Sequence, residues 1–181
     1  MSYPWYKVIT ESSMDLNQGD LIPNCPIVIP PSEITSEGYT DVDFKEIDSI
    51  IMTQSCDLSH EKVEIVLVCP YYSLSQFLAN LPSDQVRSNK AKRKVIEQLR
   101  KGYLPSYHLL NKDVETPNLD EWQVVDFRNV YGIHFSSLLS IVDKLDRRVR
   151  LLPPYREHLS QSFARYFMRV GLPQDIVVDG Y

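Results

Sequence analysis

The stretch Thr53-Gln54-Ser55-Cys56-Asp57-Leu58-Ser59-His60 is the densest cluster of chemically capable side chains in the chain. A thiol becomes a nucleophile near neutral pH only when a base or cation draws off its proton, so Cys56 with a histidine such as His60 is one chemistry open to it. Ligation of a metal by Cys56, Asp57 and His60 is another. The spacing is diagnostic of neither. The plainer alternative is a strand-end turn stabilised by Ser and Asp side chains, with Cys56 as a small buried hydrophobe. No metal and no cofactor is expected from the sequence.

Anion binding is offered elsewhere. Arg87, Lys90, Lys92, Arg93, Lys94, Arg100 and Lys101 place seven of the 19 Lys and Arg residues within 15 positions, with only Glu97 against them. Contacts from such side chains to phosphate give salt-dependent, sequence-indifferent affinity for nucleic acid. The same charge suits an acidic protein partner or a plain solvated helix face. Aromatic interleaving is sparse, Tyr103 and Tyr107 lying just beyond the patch. Towards the C terminus, His158, Ser162, Arg165 and Arg169 follow at spacings of 4, 3 and 4, which stacks them on one strip of a helix. The Arg forks there suit phosphates or carboxylates. Alternatively the strip borders the core and pairs with Asp143 or Asp146. His108 and His134 stand in apolar contexts and read as core histidines.

These groups need a scaffold, and the composition supplies one. A chain of 181 residues, 43% hydrophobic and 24% charged, is long and apolar enough for a single core and excludes global disorder and collagen-like structure. Its apolar runs fall short of the roughly 20 residues of a membrane-spanning helix, and no apolar stretch follows a basic start, so neither membrane nor export signal is expected. Three cysteines, Cys25, Cys56 and Cys69, cannot all pair and form no C-x-x-C, which points to a reducing cytoplasm. The net charge of -5 is divided unevenly: residues 1 to 86 hold 3 Lys and Arg against 13 Asp and Glu, whereas residues 87 to 181 hold 16 against 11.

A single domain is expected over 1–181. Residues 1–17 read as an arm, 18–72 and 103–132 as strands, 73–102 as a helical insertion, 133–171 as C-terminal helices and 172–181 as a tail. The strand signals are Leu21-Ile22, Pro26 to Pro30, Asp41 to Ile47, Ile50 to Met52, Val63 to Val68, Tyr107 to Leu110 and Trp122 to Phe127. The helix signals are Leu74 to Leu78, a basic helix over Val86 to Leu99 closed by Gly102, an apolar stripe from Phe135 to Leu145, and a second from Tyr155 to Val170.

Four of these strings carry a resemblance. Gly19-Asp20-Leu21-Ile22, Ile50-Ile51-Met52-Thr53, Ile65-Val66-Leu67-Val68-Cys69-Pro70 and Trp122 to Val130 resemble, in the same order, strands of the MazF and PemK type of small β-barrel toxin. The similarity covers roughly Gln18 to Leu145, with Ser73 to Lys101 as an extra segment. It implies a bacterial protein with an α+β, mainly β fold: an SH3-like antiparallel barrel with inserted and C-terminal helices. It also implies cleavage of single-stranded RNA by an Arg before the second of these strands and a Thr or Ser after the third. Here Asp48 and Ser49, then Tyr71, Tyr72 and Ser73, stand at those places. An aspartate repels phosphate.

The expected function is therefore a non-catalytic, MazF/PemK-like binding module for a protein or RNA partner in a toxin-antitoxin or phage-defence setting, cytoplasmic, off the membrane and open to homodimerisation as family toxins are. A related toxin of the fold group, CcdB, binds a protein instead of cutting RNA. Gln54, Ser55 and Asp57 lie where the family builds its substrate loop and form the first binding edge, beside the basic patch and the Arg165 and Arg169 strip. The rival function is a divergent endoribonuclease with a rebuilt site, Arg128 or Arg156 supplying charge and His60 or His158 acting as acid-base; a Cys56-dependent enzyme is a third class.

Overall fold

The computed structural model describes residues 3–10, 15–31, 43–116 and 118–168. Its fold is α+β. Eight strands, β1 (Tyr6–Ile9), β2 (Asp20–Ile29), β3 (Asp43–Ile51), β4 (Ile65–Ser73), β5 (Tyr107–Leu110), β6 (Gln123–Asp126), β7 (Tyr131–His134) and β8 (Arg148–Leu151), form one antiparallel sheet. Its order is β1-β8-β2-β3-β4-β6-β5. The long β4 carries two partners in succession along one edge, β7 on Ile65 to Val68 and β6 on Tyr71 to Ser73. No described ladder joins the end strands β1 and β5. A side chain spans that gap instead, the Tyr6 hydroxyl donating to the Asn111 carbonyl at 2.5 Å.

The described residues contain six helices: α1 (Ser55–Ser59), α2 (Leu74–Ala79), α3 (Ser83–Val86), α4 (Asn89–Arg100), α5 (Phe135–Val142) and α6 (Tyr155–Phe167). Alternation along the strands sends side chains to opposite faces, and both faces are used. Ile50, Cys69, Val125, Phe127 and Leu151 meet Leu159 and Phe163 of α6. Ile22, Ile51, Val66 and Val68 meet Leu58 of α1 and Leu138 and Val142 of α5. Val124 faces a third cluster with Leu74 and Phe77 of α2 and Val95 and Leu99 of α4. Ser88 caps α4 by accepting the Ala91 amide, and Gly102, at φ +68, provides the left-handed turn that ends it. None of the helices, among the described residues, is long and apolar enough to cross a membrane.

The sequence signals are corrected in several places. The arm contains a strand that the sequence did not indicate, Tyr6 to Ile9, which pairs with β8. Residues 133–171 are not wholly helical: β8 lies between α5 and α6, and β7 runs past position 132. Of the signals Asp41 to Ile47 and Ile50 to Met52, the described residues 43–47 and 50–51 belong to one strand, β3, and Leu21-Ile22 and residues 26–29 likewise fuse into β2 through an irregularity between Ile22 and Cys25; residues 41 and 42 lie outside the described residues.

β8 is held by charge. Asp20, fully buried at the start of β2, receives Arg148 Nε at 3.0 Å and Arg150 Nε at 2.5 Å, and both Arg residues also donate to the Asp15 carbonyl. The Asn17 amide donates to Asp20 as well, closing the turn that leads into β2. Removing one side of such a buried pair strands the other. We expect Asp20→Asn to lower unfolding free energy by about 3–5 kcal/mol in urea denaturation; a loss under about 1 kcal/mol, as for an exposed pair, would contradict a structural role.

Candidate nucleic-acid interface

A cavity of about 640 Å3 opens where the two end strands fail to pair. Trp5 enters from the start of β1, Arg100 and Lys101 from the end of α4, Tyr107 and His108 from β5, Trp122 from the approach to β6, and Arg165 from α6. Local structure fixes each. Trp5 stacks on Tyr155 with ring centroids 3.6 Å apart and planes 9° from parallel. Tyr107 is wedged edge-on against Phe77 and lies under the Arg128 guanidinium at 4.8 Å. Trp122 is 40% exposed, with Lys112 Nζ 4.9 Å from its ring centre.

Cations line this cavity and carboxylates do not. Glu97, just outside, bridges Arg100 at 2.8 Å and Lys101 at 3.1 Å, and those two bonds hold its pKa down to about 2. Arg165 makes no hydrogen bond or ion pair among the described residues, so it does not itself make the alternative pairing with Asp143 or Asp146. His108 is not a satisfied core histidine. Its ring stacks beside Phe127, and among the described residues neither nitrogen has a hydrogen-bond partner. Burial, and then the neighbouring His158, lower its pKa to about 4.

The basic patch leads into the same place. Arg87, Lys90, Lys92, Arg93 and Lys94 are all exposed, and none forms an ion pair among the described residues. On α4, Lys90, Arg93, Lys94, Arg100 and Lys101 recur at helical spacing on one face, a strip of about 16 Å ending at the cavity. Lys92 projects from a different side of the helix, by the same geometry. Arg169 lies outside the described residues.

The other candidate residues are held apart from this cavity. Gln54, Ser55 and Cys56 line a separate open cleft with Gln18 and with Arg156 and Ser160 of α6. The Ser55 hydroxyl accepts the Gln18 amide at 3.1 Å, and Asp57 Oδ1 lies 3.8 Å from the Cys56 sulfur on the same short helix. His60 Nδ1 meets the carbonyl of Cys56 at 2.8 Å rather than its thiol, so the two do not form a nucleophile and base. Nor do Cys56, Asp57 and His60 form a metal site, no such group occurring among the described residues. Cys56 is exposed instead of buried, whereas Cys25 and Cys69 are buried with their thiol pKa values pushed up to about 11 and about 12. Arg128 is bound to Asp126 at 2.7 and 3.0 Å, and Arg156 to Glu157 at 2.8 Å. His158 is exposed, edge-on to Tyr155. His134 is also exposed, between Ser136 at 2.9 Å and Glu64 at 3.3 Å, and so is not a core histidine.

Sequence reasoning missed Trp5, Tyr107, His108 and Trp122 as a group because no local spacing connects them. The usable signal was the pair of aromatics just past the end of the basic helix. The depressed pKa of His108 has a thermodynamic consequence: as pH falls from the unfolded value near 6.5 towards 4, the unfolded chain takes up a proton that the folded one refuses, and stability drops. The full effect is about 3 kcal/mol. We expect the His108 ring signal to titrate near pH 4 by NMR, and His108→Leu to remove this part of the acid sensitivity.

A scan against models of known protein families finds no match to the chain, and no curated protein matches it significantly.

Proposed function

We propose that the chain is a non-catalytic binding module for single-stranded RNA, with bases against Trp5, Tyr107 and Trp122 and phosphates along Arg165, Arg100, Lys101 and the exposed face of α4. The observation that carries this reading is one cavity that, among the described residues, joins three aromatic rings to three cations and no carboxylate. Stacking on an aromatic ring tolerates any base, and each such contact is worth about 1–3 kcal/mol. Phosphate contacts supply the rest. Arg165 and His108 carry hydrogen-bonding groups without a partner among the described residues, and a nucleotide provides both acceptors and donors.

The curl of the sheet, with Tyr6 reaching Asn111 across the open ends, is compatible with the small MazF/PemK-like barrel that the sequence resembles. A cytoplasmic module of a toxin-antitoxin or defence system is the setting that resemblance carries. Absence of the family's Arg, and the engagement of Arg128 and Arg156 by carboxylates, favour binding over cleavage.

The test is retention of a short labelled RNA pool at about 50 and about 200 mM salt, with the RNA recovered intact or cut. Retention should weaken steeply with salt without cleavage. Trp122→Ala and Arg165→Ala should each weaken it by about tenfold or more, and reversing Lys90, Arg93 and Lys94 to Glu should flatten the salt dependence. Retention indifferent to all three changes would overturn the site. Cleavage slowed by His158→Ala would establish the endoribonuclease reading in its place.

A further inference from the structure

A second cavity, about 410 Å3, has the opposite chemistry. It lies between the irregular segment of β2, the second half of β3 at Asp48, the far end of β4 and the loop before β6. Asp48, Asp120 and Glu121 line it, and among the described residues no Lys, Arg or His does. It sits where the resemblance would place a catalytic Arg, and Asp48 is the residue found there.

Carboxylates alone do not make a site, but two buried neutral groups join these. Tyr71 is 7% exposed, yet its hydroxyl has no hydrogen-bond partner among the described residues. Burial and the charge of Asp48 raise its pKa, so it remains a neutral phenol. Gln123 is 3% exposed; its amide nitrogen donates to the Asn118 and Glu121 carbonyls, which leaves its Oε1 for the cavity. Among the described residues no fully buried side-chain nitrogen or oxygen lacks a partner, so the Tyr71 hydroxyl and Gln123 Oε1, on otherwise buried side chains, are open to solvent where they line the cavity.

The unused groups are mostly acceptors. Asp48 has one oxygen on the Asn24 amide at 2.9 Å and the other uncommitted, Asp120 has no hydrogen bond or ion pair among the described residues, and Glu121 is engaged by Ser75. Among the described residues, no three His, Cys, Asp or Glu side chains converge closely enough to hold a metal ion. Acceptors dispersed around a wider space suit a larger cation with several donors. A guanidinium is planar, permanently charged and carries five N–H groups.

We propose that this cavity receives the guanidinium of an arginine side chain from a protein partner, with Asp48, Asp120 and Gln123 accepting its N–H groups and the Tyr71 hydroxyl at its edge. Three carboxylates with no cation among the described lining residues give the cavity a negative potential that draws a positively charged side chain. The assignment is independent of RNA binding in the aromatic cleft.

The test is an NMR titration of the full chain with a blocked Gly-Arg-Gly peptide, its citrulline counterpart and free arginine, reading the side-chain amides of Asn24, Asn118 and Gln123. The Arg peptide should shift these signals, and citrulline, of the same shape without charge, should bind at least about tenfold more weakly. Tyr71→Phe and Asp120→Asn should each weaken the Arg peptide by about five- to tenfold, with thermal midpoints showing both variants folded, and Trp122→Ala should leave it unchanged. Equal binding of the arginine and citrulline peptides, no shift up to millimolar peptide, or wild-type affinity in both folded variants would overturn the proposal. Preference for free arginine over the blocked peptide would overturn the protein partner.

Discussion

Asp20 is a carboxylate with no access to water, and the rest of the structure depends on how that charge is compensated. Two guanidinium groups from β8, Arg148 and Arg150, reach it across the sheet. Burying such a charge is tolerable only with close partners and satisfied hydrogen bonds, so the ladder between β2 and β8 is fixed in register where Asp20 faces Arg150. β8 in turn is the strand on which β1 pairs, and α6 begins four residues after it. One ionic cluster thereby sets the position of the N-terminal strand and of the last helix.

Those two elements build one wall of the aromatic cleft. Trp5 is placed by β1 and by its stack on Tyr155, and Ser162 and Arg165 are placed by α6. The opposite wall is an independent unit: α4 packs through Val95 and Leu99 on the outer face of β6 and β5, which brings Arg100 and Lys101 to the rim. Between the walls, β5 has a ladder on one side only. The cleft is a consequence of incomplete closure, since a ladder between β1 and β5 would fill it. The acidic cavity around Tyr71 is built from a different set of elements, β2, β3, β4 and the loop before β6.

Much of the secondary structure was legible in the sequence, and the parts that were not have a common cause. β5 appears at Tyr107–Leu110 as its apolar run indicates, and α5 and α6 begin at Phe135 and Tyr155 as their stripes do. β8 was hidden because Arg148-Val149-Arg150-Leu151 looks like an exposed strand edge or a helix end; only Asp20, 128 residues away, makes its arginines interior. β1 was hidden because Tyr6 to Ile9 is short and its partner β8 was itself unseen. The candidate sites divide in the same way. The charge of α4 was visible as a local run, whereas the histidines depended on tertiary neighbours: His134 lies on the surface beside Glu64, and His108, placed among apolar residues by sequence, faces a cavity. Cys56 and His60 are neighbours in sequence whose chain geometry turns the imidazole to a carbonyl.

The central claim is that RNA lies in the aromatic cleft. Photocrosslinking with 4-thiouridine RNA, followed by mass spectrometry of the attached peptides, tests it most directly. The account predicts crosslinks at Trp5, Tyr107 or Trp122, lost when unlabelled RNA competes. Specific crosslinks confined to the Gln54 to Cys56 cleft or to the acidic cavity around Tyr71, or none above background, would contradict it.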